Sequence, residues 1–238
     1  MVRHGKVEGR AEAFAQEALH LAQHIGDESG ISNAYMTLGM IAQANGKLDE
    51  AEVAFTESYT HARMIEHRGL LSAALSLLGG LAGVRGDLAR ATALLEEALA
   101  LAHTIGITWD IPISLTVLGH LASLQQNSPL AKARYREALV LYRAFGSPTY
   151  IAACLDGYAA AACAEGRYAQ ATRLCAQAST LHEQTQTELL PPEREAFEQV
   201  VATARAALDE PAFAREWNKG TALTQDEAID DALSDGTS

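Results

Sequence analysis

The chain has 238 residues, 48% apolar and 20% charged, with a formal charge of −12 at pH 7. This composition argues against a disordered chain, and the negative charge argues against direct binding of nucleic acid, whose phosphates are contacted through Lys and Arg. We find no apolar run long enough for a signal peptide or membrane span, and the three cysteines lack metal-type spacing, so we expect a cytoplasmic protein with no membrane association.

The residue types predict an all-α protein, because Ala and Leu dominate while β-branched and aromatic residues are sparse. The first helix is expected over residues 7–25. It matches the second helix of a hairpin without a first helix before it, so we interpret residues 1–28 as the lone second helix of a truncated repeat. Phe14, Leu21 and Ile25 would then be exposed, and a homodimer could cover them.

A phrase then recurs along the chain with a period of 40. It reads GKLDEAEVAF from Gly46, GDLARATALL from Gly86 and GRYAQATRLC from Gly166, with the degenerate copy QNSPLAKARY in between. A period of roughly 20 to 50 residues is typical of stacked helical hairpins. We therefore predict four hairpins over residues 29–185. Their first helices are expected near 30–45, 69–85, 110–125 and 149–165, and their second helices near 48–66, 88–106, 129–145 and 168–185.

The turns carry their own signals. The three recurring glycines are expected to end the first helices in the left-handed conformation, which glycine adopts without steric cost. Asn127 is expected to take this role in the third hairpin, followed by Ser128 as N-cap and Pro129 at the first helical position. The connections from one hairpin to the next are expected to be the longer ones.

Small residues recur with helical spacing, as close helix packing requires. Each copy has a small residue, an alanine twelve positions later, a large residue four further on and a small residue three after that: Gly39, Ala51, Phe55, Ser58; Gly79, Ala91, Leu95, Ala98; Gly119, Ala131, Tyr135, Ala138. In the fourth copy Cys175 replaces the large residue. This pattern resembles the tetratricopeptide repeat. The resemblance implies a right-handed superhelical solenoid of antiparallel hairpins, here with a period of 40 instead of the usual 34.

Residues 186–234 depart from the period, and we interpret them as C-terminal capping helices, followed by a frayed tail over 235–238. This segment resembles the C-termini of bacterial signal-transduction NTPases and LuxR-type transcriptional regulators. The motifs that carry the resemblance are Pro-Pro-Glu-Arg at 191–194, Trp217 with Gly220, and Leu223-Thr224 with Glu227-Ala228. It implies the sensor or regulatory arm of such a protein. The alternative is a freestanding cytoplasmic adaptor that binds an apolar peptide or helix of a partner.

The motif search favours a protein that is not an enzyme and needs no cofactor. The sequence has no phosphate-binding glycine loop, no nucleophile motif and no paired Cys-x-x-Cys. His20 and His24 are four positions apart and would share one helical face, which is the minimum geometry for a metal clamp. We interpret them as two solvated imidazoles and predict no metal site.

The predicted binding surface is the concave groove that the first helices line in tetratricopeptide arrays. Its positions in this sequence are Asn33, Met36, Met40, Gln43, Ser76, Thr116, His120 and Asp156. Without Lys or Arg, these positions cannot hold a peptide's terminal carboxylate as chaperone-binding members do. The two methionines offer adaptable apolar contacts, so the expected partner is an apolar protein segment. Alternatively, a tightly curled array packs these residues against one another.

Overall fold

The computed structural model describes residues 4–105, 110–189 and 191–234, and these residues are helical with no strand among them. The all-α repeat prediction is confirmed. The twelve helices of the described residues are α1 His4–Ile25, α2 Glu28–Ala44, α3 Leu48–Met64, α4 Arg68–Val84, α5 Leu88–Ile105, α6 Asp110–Leu124, α7 Ser128–Phe145, α8 Pro148–Ala164, α9 Tyr168–Thr185, α10 Pro191–Ala207, α11 Glu210–Ala222 and α12 Gln225–Leu233.

The turns reveal a finer step in the repeat, which is half of the sequence period. A residue with positive φ ends or follows a helix at Gly26, Gly46, Glu66, Gly86, Gln126, Gly146, Gly166 and Gln186. This backbone conformation cannot continue a right-handed helix, so it stops each helix and turns the chain back. The turns within hairpins and the turns between hairpins therefore end their helices in the same way. Each hairpin consists of two helices of nearly equal length.

Two predictions about these turns are wrong. The connections between hairpins are not longer, since two or three residues separate consecutive helices throughout α1–α5 and α6–α9. In the third hairpin Gln126, not Asn127, has the left-handed conformation, with φ of 58°. Asn127 is the N-cap, and its side chain accepts a hydrogen bond from the Leu130 backbone N–H, so Ser128 is already helical. The sequence period itself aligns residue 126 with the glycines.

Two compact units divide the chain, residues 1–114 and residues 115–238. In the first unit, α2 packs on α3 and α4 on α5. The Oγ of Ser32 donates to the Ser58 carbonyl at 3.0 Å, and the Oγ of Ser72 to the Ala98 carbonyl at 2.9 Å. These bonds join the two helices of each hairpin at positions where small side chains let the backbones approach.

The glycines of the repeat pattern receive the large side chain of the following helix. A Cβ on Gly39 would lie 2.4 Å from the Phe55 ring, and in the second unit a Cβ on Gly119 would lie 2.7 Å from the Tyr135 ring. Both rings are fully buried. The fourth hairpin, which has the small Cys175 instead, carries Ala159 in place of the glycine. Large and small residues therefore compensate each other across each hairpin, as close packing requires.

The C-terminal helices of the second unit pack back onto the array. Helices α10, α11 and α12 all contact α9, and α12 also contacts α7 and α8. Gly220 lets α11 approach α9 closely, because a Cβ there would lie 2.3 Å from the Arg173 carbonyl oxygen. The N-terminus of α12 has a capping box between Thr224 and Glu227. Three residues of the predicted C-terminal motifs thus have structural roles, Gly220 in the close approach of α11 to α9 and Thr224 with Glu227 in capping α12.

Some predictions fall outside the described residues. The first three residues, the end of the second helix near 106 and the tail over 235–238 are among them. The interpretation of 1–28, 29–185 and 186–234 as separate regions stays a prediction. Over the part of the chain that is described, no helix has the length and apolar character of a membrane span.

Candidate binding surface

Helix α2 places four of the predicted groove residues at the surface of the first unit. Asn33 and Met40 are exposed, the latter by 47%, while Met36 and Gln43 are partly buried. Gly39, on the other side of the helix, is buried against α3. Helix α2 therefore buries one face in its hairpin and presents a second face on which Met40 is a large, exposed apolar side chain.

The neighbouring helix α4 contacts α2 and continues this surface within the same unit. Gly80 in α4 is the repeat equivalent of Met40 in α2, which lies one sequence period earlier. Apart from Gly80 itself, its two chain neighbours and the nearby backbone of α4, no described atom lies within 4 Å of the place where a Cβ on Gly80 would stand. Gly79 differs sharply, since its Cβ would come within 2.7 Å of the Leu95 side chain. The chain's own packing requires a glycine at 79 and leaves open space beside 80.

Two of the predicted polar positions form contacts between neighbouring first helices. The hydroxyl of Ser76 lies 3.1 Å from the Ser114 hydroxyl. In the second unit, the hydroxyl of Thr116 lies 3.2 Å from the Cys154 sulfur. Both residues are partly buried. They therefore help to hold successive first helices together, and their hydroxyls are less available to a partner than the sequence suggests.

Two of the predicted polar groove residues in the second unit, His120 and Asp156, differ in their surroundings. His120 is exposed on α6. Asp156 on α8 instead forms an ion pair with His182 on α9, with 2.7 Å between Oδ2 and Nε2. Burial raises the pKa of Asp156 and the His182 hydrogen bond opposes that shift, while the same bond raises the pKa of His182. This pair ties α8 to α9 and is a structural feature of the hairpin.

The sequence analysis did not identify His182 as a partner of Asp156. The residue is 9% exposed, and its Nδ1 is buried without a hydrogen-bond partner among the described residues, as is Oδ1 of Asp156. The sequence places both residues on the helices of one hairpin. Their separation of 26 residues equals that of the Ser32–Ser58 and Ser72–Ala98 contacts in the earlier hairpins, so the repeat register could have identified the pair.

An open cavity of about 560 Å³ lies beside His182. Its lining comes from α9, the connection after it and α10. Helix α9 ends the last predicted hairpin, whereas the connection and α10 lie beyond the repeat. It combines one cation with two carboxylates and a partly buried ring: Ser179, His182, Glu183, Gln186, Thr187, Glu188, Leu189, Arg194 and Phe197. The Arg and Glu residues of this lining are exposed. The cavity therefore has a solvated, mixed-charge character.

The cysteines lie in the core, and the two histidines of the candidate metal clamp lie at the surface. Cys154, Cys163 and Cys175 are buried free thiols that pack as small core residues. Burial raises the pKa of Cys154 to about 12, so this thiol stays protonated at neutral pH. Across the described ranges, no group of three His, Cys, Asp or Glu could hold a metal ion. Both His20 and His24 are exposed.

These features define the chain as an all-helical repeat array. Residues 30–104, which span α2–α5, match the tetratricopeptide repeat family. Among curated proteins, no sequence matches this chain. The tetratricopeptide signature in the sequence therefore lies within the first unit.

Solved structures share the fold at low sequence identity. BtubC (BKLC) from P. vanneervenii is 17% identical with a TM-score of 0.67, and the match covers 95% of this chain and 89% of that protein. A Podosopora anserina putative kinesin light chain with nearly identical TPR-like repeats is 17% identical with a TM-score of 0.52, covering 77% of this chain and 95% of the other.

The comparisons support a tetratricopeptide-type array, and repeats of this type suggest a protein–protein interaction module. Neither structure's description names a signalling NTPase or a transcriptional regulator, so that relationship stays a prediction. At these identities the likeness concerns the fold alone.

Proposed function

We propose that this chain is a non-catalytic module that binds an apolar helical segment of another protein on the exposed face of α2 and α4. The observation that carries the proposal is Gly80. A glycine inside a helix destabilises it by about 1 kcal/mol relative to alanine. The packing of α4 does not offset this, because nothing described lies within 4 Å of the missing Cβ. A partner whose backbone or large side chain approaches α4 would require that space.

The chemistry of this face favours an apolar partner. Met36 and Met40 provide flexible thioether side chains that adapt to an irregular apolar surface. Asn33 and Gln43 flank them with amides, which can donate and accept hydrogen bonds at the rim. None of these four side chains is charged. An amphipathic helix laid along such a face would bury its apolar stripe against the methionines and leave its polar residues in water.

Substitution of Gly79 and Gly80 tests the packing on which the proposal rests. A Cβ at Gly79 would meet the Leu95 side chain, whereas one at Gly80 would meet no described side chain. Gly80→Ala is expected to raise the free energy of unfolding by about 1 kcal/mol, since alanine favours the helix and meets no atom. Gly79→Ala is expected to lower it by about 1–3 kcal/mol, because the new methyl group overlaps Leu95. Urea denaturation followed by circular dichroism measures both changes.

The binding arm of the test uses Gly80→Leu, which places a large side chain where a Cβ would meet no described side chain. Helical peptides selected from a displayed library against the wild-type chain would serve as probes. Their dissociation constants, measured by calorimetry, should rise more than ~10-fold with Gly80→Leu. Val53→Leu on α3, also exposed, is the control and should leave them unchanged. Selected peptides that bind Gly80→Leu as tightly as wild type would refute the α2–α4 site.

We further propose that this binding module has a regulatory role. It rests on the resemblance of residues 191–228 to the C-termini of bacterial signalling NTPases and LuxR-type regulators, in which a repeat array senses a ligand or partner. A ligand that prefers one arrangement of the array would shift its population and so regulate an attached module. Reading the coding sequence upstream of the Met1 codon tests this role. A continuous frame that encodes a phosphate-binding loop would support it, and a stop codon followed by a separate start signal would count against it.

We place this activity in the cytoplasm. Three buried free thiols suit a reducing compartment, where cysteines stay unpaired. Fractionation of source cells with an antibody against the chain would check the location.

A further inference from the structure

The open cavity of about 560 Å³ lies within the second unit and is lined by two helix faces. Its lining residues on α9 follow one another at intervals of three, one and three positions, so they share one face of that helix. Arg194 and Phe197, three positions apart, do the same on α10. The connection between the two helices supplies the remaining side chains. The volume falls within the roughly 300 to 1,000 Å³ of small-molecule sites.

Arg194 is a cation that the described residues leave without a carboxylate partner. Elsewhere in the second unit, Arg173 pairs with Glu216 at 2.8 Å and Lys132 with Glu165 at 2.7 Å. Arg194 forms no such pair among the described residues, and its side-chain hydrogen bond to the Leu189 carbonyl is long, at 3.5 Å. It also stands in the first turn of α10, where the helix dipole disfavours a cation. Its planar guanidinium therefore remains available to an anion.

Two carboxylates line the same cavity and are unpaired as well. Glu183 and Glu188 are exposed, and neither forms an ion pair with Arg194 or with another cation of the described residues. A ligand with a single charge would be attracted by one side of this lining and repelled by the other. A ligand that carries both a carboxylate and an ammonium group complements both. Neither end of a long peptide carries the two charges together, so the lining favours a small zwitterion.

The neutral part of the lining distinguishes between zwitterions. Leu189 and Phe197 are partly buried and offer apolar area to a ligand side chain. The Ser179 hydroxyl and the Gln186 amide make no side-chain hydrogen bond with the described residues, so both are available at the same wall. An amino acid with an apolar or aromatic side chain combines the two charges with the apolar area that this cavity can cover.

His182 gives a separate indication that the cavity takes a polar ligand. The residue lines the cavity and is 9% exposed. Its Nε2 contacts the Asp156 carboxylate at 2.7 Å, while its Nδ1 is buried without a hydrogen-bond partner among the described residues. A buried polar atom is costly to leave unpaired. A polar group of a ligand at this wall would supply the missing partner.

We infer that this cavity binds a free α-amino acid with an apolar side chain. Arg194 holds the carboxylate, Glu183 and Glu188 attract the ammonium group, and Phe197 covers the side chain. The inference concerns the second unit and does not rest on the α2–α4 face. Because the cavity is open to solvent, the affinity is modest, with a dissociation constant on the order of 100 µM.

Isothermal titration calorimetry of the full chain with L-phenylalanine tests this inference. Two analogues of the same shape separate the two charges, since 3-phenylpropionate lacks the ammonium group and phenethylamine lacks the carboxylate. Both should bind more than ~10-fold more weakly than L-phenylalanine. L-leucine and L-methionine should bind as well, because the apolar lining is not specific for an aromatic ring.

Substitutions in the lining assign the charges. Arg194→Gln should raise the dissociation constant of L-phenylalanine more than ~10-fold, because it removes the partner of the carboxylate. Glu183→Gln combined with Glu188→Gln should weaken binding through the ammonium group. Arg63→Gln on α3 is the control, since Arg63 is exposed and forms no ion pair among the described residues. It removes the same charge and should leave binding unchanged.

Three results would overturn the inference. One is the absence of binding for L-phenylalanine, L-leucine and L-methionine up to ~1 mM wild-type chain and excess ligand. Another is binding of 3-phenylpropionate as tight as that of L-phenylalanine, which would make the ligand a simple carboxylate. The third is an equal effect of Arg194→Gln and Arg63→Gln, which would place the binding site elsewhere. Circular dichroism should show equal helix content for all variants, because the substituted residues are exposed.

Discussion

Replacing Arg173 with methionine is expected to lower the free energy of unfolding by about 3 kcal/mol at pH 7. The Arg173 guanidinium on α9 donates to both carboxylate oxygens of Asp231 on α12 at 2.8 and 2.9 Å, and to Glu216 on α11 at 2.8 Å. Glu216 is only 5% exposed. Removing the cation would leave this buried carboxylate with weaker compensation, since Lys219 and Arg215, which also contact it, are themselves largely exposed.

Arg143→Met is the matched control. Arg143 on α7 also reaches α12, pairing with Asp230 at 2.5 Å, but both partners are largely exposed. Such pairs contribute at most about 1 kcal/mol. Urea denaturation of the two variants should separate them clearly. If Arg173→Met were no more harmful than Arg143→Met, the C-terminal helices would not depend on this clamp.

The Arg173 clamp also predicts an acid dependence. Burial would raise the pKa of Glu216, but the hydrogen bonds from Lys219, Arg173 and Arg215 prevail and lower it to about 2. A depressed pKa stabilises the folded state above the ordinary value of 4.5 and loses that contribution as the pH falls toward 2. Wild type should therefore lose stability between pH 5 and about 2, and Arg173→Met should lose less over the same interval.

The second large effect is expected for His182→Leu, with a loss of about 3 kcal/mol at pH 7. His182 is the observed partner of the Asp156 carboxylate, whose other oxygen is already buried without a hydrogen bond. Without the imidazole, the carboxylate must be buried unpaired or take up a proton. Adding Asp156→Asn to the variant removes the charge and should recover part of the loss. Thermal and urea denaturation of the two single variants and the double variant measure the coupling.

The pH profile distinguishes this pair from a merely well-packed histidine. The pKa of His182 is raised above its usual 6.5, so its contribution is complete below that value and is lost as the pH rises through the raised pKa. The stability of wild type should fall across this interval, and that of His182→Leu should not show this fall. His61→Leu is the control, because its pair with Glu28 is more exposed. Equal losses for both histidine variants would contradict the assignment.

Much of the fold follows from the register of the repeat alone. Aligning the chain at its sequence period places the helices, the turn glycines and the glycine–aromatic contacts such as Gly39 with Phe55. It also contains the information that was misread at the third turn, where Gln126 and not Asn127 aligns with the glycines. Asn127 was predicted there because asparagine, after glycine, is the residue most often found in the left-handed conformation. The register of the repeat is the stronger constraint on the backbone.

The candidate site is less accessible from sequence. Gly80 and Gly157 both lie within first helices, yet a Cβ at Gly157 would collide with the Tyr135 ring, while one at Gly80 would meet no described side chain. That distinction requires the neighbouring helices in three dimensions. The contacts of Ser76 with Ser114 and of Thr116 with Cys154 do follow the repeat, since they are one period apart. The pairing of Asp156 with His182 was not predicted, because it depends on side-chain direction. The mixed-charge cavity beside His182 lies where the period ends, so no register predicts it.

The central claim is that the α2–α4 face binds a partner, and site-specific photocrosslinking tests it most directly. A photoreactive amino acid would replace Met40 in one form of the full chain and Val53 in another, each expressed in the source cells. The account predicts a discrete protein adduct from position 40 that disappears with Gly80→Leu, and none from position 53. Adducts of equal yield from both positions, or an adduct at 40 that persists with Gly80→Leu, would contradict it.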